Sequence, residues 1–72
     1  MTAIRSQKAL GEALARLRYE RDVTQEELAV KLGVSRRYIS ELESGRPTIY
    51  GSRLFEVLRD LGAHVEIVKD DQ

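Results

Sequence analysis

A chain of 72 residues without cysteine, carrying twelve basic and twelve acidic side chains, is one small domain that neither disulfides nor thiolate-bound zinc can brace. Domains of this size bury only about 60% of their unfolded surface, so compact helix packing or oligomerisation must supply the missing core. Zero net charge excludes a generally adhesive polycation. The absence of an apolar run near the roughly 20 residues of a membrane span, with no signal-peptide pattern in "MTAIRSQKALGEAL", points to a soluble, cytoplasmic protein.

Leu10, Ala13, Leu14 and Leu17 recur at i, i+3, i+4 and i+7, which predicts a first helix over about 6–21 with one buried stripe. Gly11 weakens it slightly. A second helix is expected over 24–32. Thr24 and Glu27 form a capping box, Glu26 and Glu27 occupy the first turn, and Leu28, Ala29 and Leu32 face inward. Gly33 stands where a helix stops in a left-handed conformation.

The third helix, about 35–44, starts at a Ser35 cap, turns Ile39 and Leu42 inward and ends at Gly45. Its first turn breaks a rule. The positive end of the helix dipole favours acidic side chains by about 0.3–1 kcal/mol each, yet Arg36 and Arg37 sit there. The second helix obeys the rule, so this departure requires a reason.

"RPTIYGS" reads as a loop, because proline and glycine interrupt helices. A fourth helix over about 51–61 presents Leu54, Phe55, Val57, Leu58 and Leu61, and Gly62 ends it. In "AHVEIV", 63–68, the period drops to two, the alternation of a half-buried strand. A single chain offers that strand no mate. A second copy does, and two-fold pairing through Ala63, Val65 and Ile67 would add core to a short domain.

Residues 25–44, "QEELAVKLGVSRRYISELES", place two short helices around a tight turn, the layout of a helix-turn-helix. Ala29 supplies the small residue at the crossing and Gly33 the turn. Leu28, Leu32, Val34, Ile39 and Leu42 supply the shared apolar points. In Thr24-Gln25, Leu28-Ala29, Gly33-Val34-Ser35, Ile39-Ser40 and Leu42-Glu43-Ser44-Gly45 the chain resembles the lambda-repressor-like, Cro/Xre family of DNA-binding domains, over about residues 7–61.

The resemblance implies a mainly α, four-helix domain whose third helix enters the major groove of double-stranded DNA with its N-terminal residues at the base edges. Polyanionic DNA then rewards the two arginines that the isolated helix does not. Arg36, Arg37, Ser40 and Glu41 become base-contact candidates. An arginine fork on guanine gives about 1–3 kcal/mol of discrimination. Gln25, Ser35, Tyr38, Ser44 and Arg46 become phosphate-contact candidates. Glu41 either accepts from cytosine or pairs with Arg37 one turn earlier, the second being preferred. Arg18 and Glu43 resemble a pair that ties the first helix to the third.

The step from helix four directly into a strand resembles the HipB-like antitoxins, whose C-terminal strands pair across a homodimer. That likeness implies self-repression and a HipA-like kinase toxin as partner. A stand-alone phage or restriction-control regulator shares the same residues. A protein adaptor without DNA affinity is the reading from another class, supported by the zero net charge. His64 stands alone, without the spacing of a metal or catalytic site, and no serine or glycine-rich loop suggests a nucleophile or nucleotide. No enzyme activity, cofactor or metal is expected.

Overall fold

The computed structural model describes residues 3–70, which form four helices: α1 (Gln7–Glu20), α2 (Gln25–Leu32), α3 (Arg36–Ser44) and α4 (Ile49–Asp60). Each starts at a hydroxyl. Ser6, Thr24, Ser35 and Thr48 all have extended backbone and accept from the amide three residues on, satisfying one of the free N–H groups of a helix start. At Thr24 the capping box is complete: Glu27 N donates to the threonine hydroxyl at 3.0 Å, and the Glu27 carboxylate accepts from Thr24 N at 2.9 Å. Gly33 and Gly45 close α2 and α3 in the left-handed region, at φ 71° and 69°.

α4 begins two residues earlier than its sequence predicts. Pro47 cannot continue α3, but Thr48 caps the next turn, so Ile49, Tyr50 and Gly51 are helical. Gly51 is buried, and a Cβ there would collide with the Gln7 side chain. Gln7 holds this junction by accepting from Thr48 N at 3.0 Å and donating to its hydroxyl at 3.2 Å.

The main packing is α1 on α3 and α2 on α3, while α4 rests chiefly on α1. Gly11 makes the first contact close. A Cβ there would lie 2.5 Å from Glu43 O and 2.6 Å from Leu42 O, so the glycine that costs α1 a little helix propensity lets α3 cross it. Ile4, Ala29, Ile39 and Phe55 are the buried apolar residues among those described. Leu32 and Leu42, expected to face inward, stay substantially exposed, as do Leu54, Val57 and Leu61 of the fourth helix. The Cα envelope is 15 Å along its shortest axis, the thickness of two helix layers packed about 10 Å apart, and two layers leave an outer side of each helix uncovered.

The expected strand 63–68 is corrected, since the described residues contain no strand. Val65 forms a single antiparallel bridge with Ile4: Ile4 N donates to Val65 O at 2.8 Å and Val65 N to Ile4 O at 3.0 Å. The mate thought missing is the chain's own N-terminal segment. Ala63, Val65 and Ile67 are half-buried within their own molecule. Ala63 N donates to Leu58 O at 2.8 Å, Ile67 lines a cleft with Ile4, Ala13 and Leu17, and Lys69 pairs with Glu20 at 2.6 Å. No helix of the described residues is long and apolar enough to cross a membrane.

Candidate nucleic-acid interface

α2, the Gly33 turn and α3 put Arg36 and Arg37 in the first turn of α3, both exposed and without an acidic neighbour in that turn. Ser35 holds the turn by accepting from Tyr38 N at 3.1 Å. The tip therefore combines two guanidinium groups with the positive end of a helix dipole.

Behind it lies an ion pair. Arg18 of α1 donates from Nε to Glu43 Oε2 at 2.6 Å, from a second nitrogen to Oε1 at 2.9 Å, and from the third to Val23 O at 2.8 Å. The side chains are only 8% and 9% exposed. Arg18, chiefly through this hydrogen bond, holds the Glu43 carboxyl below its ordinary value of 4.5, and Gln25 adds to the effect. The carboxylate in turn raises the Arg18 guanidinium above its ordinary value, so both groups stay charged. With every buried side-chain polar atom of the described residues satisfied, the pair fixes α1 against α3 and the 21–24 turn.

Gln25 extends this network to the tip. Its amide nitrogen donates to Glu43 Oε1 at 3.0 Å, and its amide oxygen accepts from Arg36 Nε at 3.4 Å. A chain Arg18–Glu43–Gln25–Arg36 therefore runs from the packed interior to the exposed arginine. The sequence marks Gln25 as a phosphate-contact candidate but gives no sign of this bridging, which depends on how α2 meets α3.

Glu41 lies 3.4 Å from Arg37 and 3.9 Å from Arg46, consistent with the pairing preferred over a cytosine contact. These exposed pairs contribute little to stability, about 0–1 kcal/mol, but they bias where the guanidinium groups lie. Ser40 is exposed on the same helix. Ser44 donates its hydroxyl to Glu41 O at 2.8 Å. Tyr38, half-exposed, lines a groove with Leu42 and Arg46. The nine DNA-contact candidates thus fall on α3, its cap, the start of α2 and the loop after α3. No group of three or more metal-binding side chains occurs among the described residues.

Two helices joined by a left-handed glycine, with the second helix capped and open at its N-terminus, define a helix-turn-helix domain. Comparison with known proteins agrees: the helix-turn-helix family model matches residues 13–68, and the chain belongs to that family. It is similar to two proteins of Sinorhizobium fredii (strain NBRC 101917 / NGR234). One, the uncharacterized HTH-type transcriptional regulator y4dJ, is 45% identical over 64 residues, covering 85% of this chain and 80% of the relative. The other, the uncharacterized HTH-type transcriptional regulator y4mF, is 34% identical over 65 residues, covering 90% and 86%. No solved structure gives a significant match.

Proposed function

We propose that the protein is a sequence-specific DNA-binding transcriptional repressor that occupies a palindromic operator as a homodimer. The observation that carries this reading is the exposed pair Arg36 and Arg37 on a first turn of α3 that holds no acidic residue. Two cations at a helix N-terminus oppose the dipole, and DNA phosphate removes that cost. The names of the two relatives, both HTH-type transcriptional regulators, support the same function.

In this reading Arg36, Arg37, Ser40 and Glu41 face base edges, with Glu41 acting through Arg37. Gln25, Ser35, Tyr38, Ser44 and Arg46 meet the phosphates that set the register. Two copies reading half-sites about 34–36 Å apart demand a dyad in both protein and operator. The biological setting that fits the resemblance to HipB-like antitoxins is self-repression beside a HipA-like kinase toxin. A stand-alone regulator uses the same interface without a protein client.

A ribbon between copies along residues 63–68, the route suggested by Ala63, Val65 and Ile67, has one edge left to it. Both backbone groups of Val65 are matched to Ile4, and in extended backbone the groups of His64 and Glu66 point the opposite way.

The test is selection of bound duplexes from a random pool, followed by a salt titration on the preferred site. Neutralising six to ten phosphates gives a log–log slope of roughly −5 to −9. A slope near zero, or a pool that never converges, overturns the proposal in favour of a protein adaptor.

A further inference from the structure

α4 is apolar on two sides, and the chain covers one of them. Gly51, Phe55 and Leu58 face the molecule's interior. Tyr50, Leu54, Val57 and Leu61 remain 81%, 43%, 54% and 73% exposed. At 100° per residue these four fall within about 60° of arc, centred about 100° away from the buried side. Their spacing of four, three and four is that of a coiled-coil seam, narrower than the stripe of a helix packed on a globular core. α1, α2 and α3 show no second stripe of this kind that runs the length of the helix.

We infer that this seam is the contact with a second copy of the chain, packed antiparallel α4 on α4 about a two-fold axis near residues 55 and 56. The seam is complementary to its own reversed image. Such an axis sets Tyr50 opposite the partner's Leu61 and Leu54 opposite the partner's Val57, and repeats both contacts by symmetry. The flank supplies matching charge. Arg53 and Asp60 lie on the same border of the seam, and a two-fold perpendicular to both helices brings that border against itself. Arg53 then meets the partner's Asp60, and Asp60 the partner's Arg53. Neither has an ion-pair partner among the described residues. A like-charged border would repel itself under this symmetry.

The proposal rests on the homodimer reading and names the surface that makes the dimer. It also accounts for the thin core, because the apolar side of α4 left open in one copy is closed by the other. The competing surface is the free edge at His64 and Glu66.

Sedimentation velocity of the full chain over a concentration series, with and without palindromic operator, separates the alternatives. Val57→Glu, at a half-exposed position, is expected to give a folded monomer that still binds an isolated half-site. Arg53→Asp and Asp60→Arg each weaken dimerisation about tenfold, since each breaks two symmetric pairs, and the double reversal restores it. Restoration is the decisive outcome, because misfolding would not be rescued by a second charge change. If Val57→Glu stays dimeric while His64→Pro, which removes a donor from the ribbon edge, yields monomers, α4 is not the interface and the homodimer reading stands. Wild-type chain that remains monomeric even on operator removes both.

Discussion

Arg18 and Glu43, 25 positions apart, meet at 2.6 Å with less than a tenth of either side chain exposed. Removing one partner of such a pair leaves an unmatched buried charge, which costs about 3–5 kcal/mol. In a domain of this size that approaches the whole folding free energy. Arg18→Ala is therefore expected to be largely unfolded at 37 °C, whereas Arg18→Met with Glu43→Leu retains a measurable urea transition. Equal loss in the single and double variants would show that the pair's packing, not its charge balance, matters.

The same carboxylate sets the acid limb of stability. Its folded value is depressed, first by the hydrogen bond from Arg18, so the contribution of Glu43 is fully present above its unfolded value near 4.5 and is lost as pH falls through the lower folded value. Glu27, depressed by the backbone bond at Thr24, acts in the same direction from an exposed position. Urea midpoints between pH 7 and pH 3 should fall for the wild type. In Glu43→Gln they should start lower and fall less steeply below pH 4.5. Parallel curves would assign the acid limb to other carboxylates.

Much of this architecture is legible in the sequence where the signal is local. Thr24 with Glu27, Ser35, Gly33 and Gly45 announce caps and stops because a side chain or a missing Cβ acts within one turn. Ala29, read as the small residue at the α2–α3 crossing, is buried as expected. Gly11 is misleading, since helix propensity registers its cost and only the crossing of α1 and α3 reveals its use. Ile4, the mate of Val65 at the far end of the chain, is invisible to any local period. Phe55 and Leu58 turn inward while Leu54, Val57 and Leu61 stay exposed, a division that hydropathy does not make because it marks residues as apolar without saying what packs on them. On α3 the arginines are conspicuous, but the Gln25 bridge depends on tertiary geometry.

Glycine substitutions provide a direct check on the packing. Gly11→Ala should gain about 0.8–1 kcal/mol in helix propensity, but its Cβ is driven to 2.5 Å from Glu43 O, against rigid backbone. Overpacking of this kind costs about 1–3 kcal/mol, and the net change is destabilising. At Gly33 nothing lies within 4 Å of the added atom, so Gly33→Ala bears only the left-handed strain of about 1–2 kcal/mol. Gly45→Ala combines both penalties, because its φ is 69° and its Cβ would collide with the Lys8 backbone. Thermal denaturation should place Gly45→Ala well below the other two. A Gly11→Ala variant more stable than wild type would mean that α1 and α3 are further apart than described.

The bridge from Glu43 through Gln25 to Arg36 predicts a particular defect in DNA recognition. Gln25→Ala removes the acceptor that orients the Arg36 guanidinium and a donor to Glu43, while Arg37, held by Glu41, is untouched. On the selected operator, Arg36→Ala and Arg37→Ala should each cost about 1–3 kcal/mol and relax discrimination at one base pair apiece. Gln25→Ala should relax the base pair read by Arg36 and leave the one read by Arg37 intact. Because Gln25 and Arg36 act together, their double variant should lose less than the two single losses combined, with a coupling of about 0.5–3 kcal/mol. Additive losses, with equal weakening on every sequence, would make Gln25 an independent phosphate contact. Its bond to Arg36 would then have no part in reading the operator.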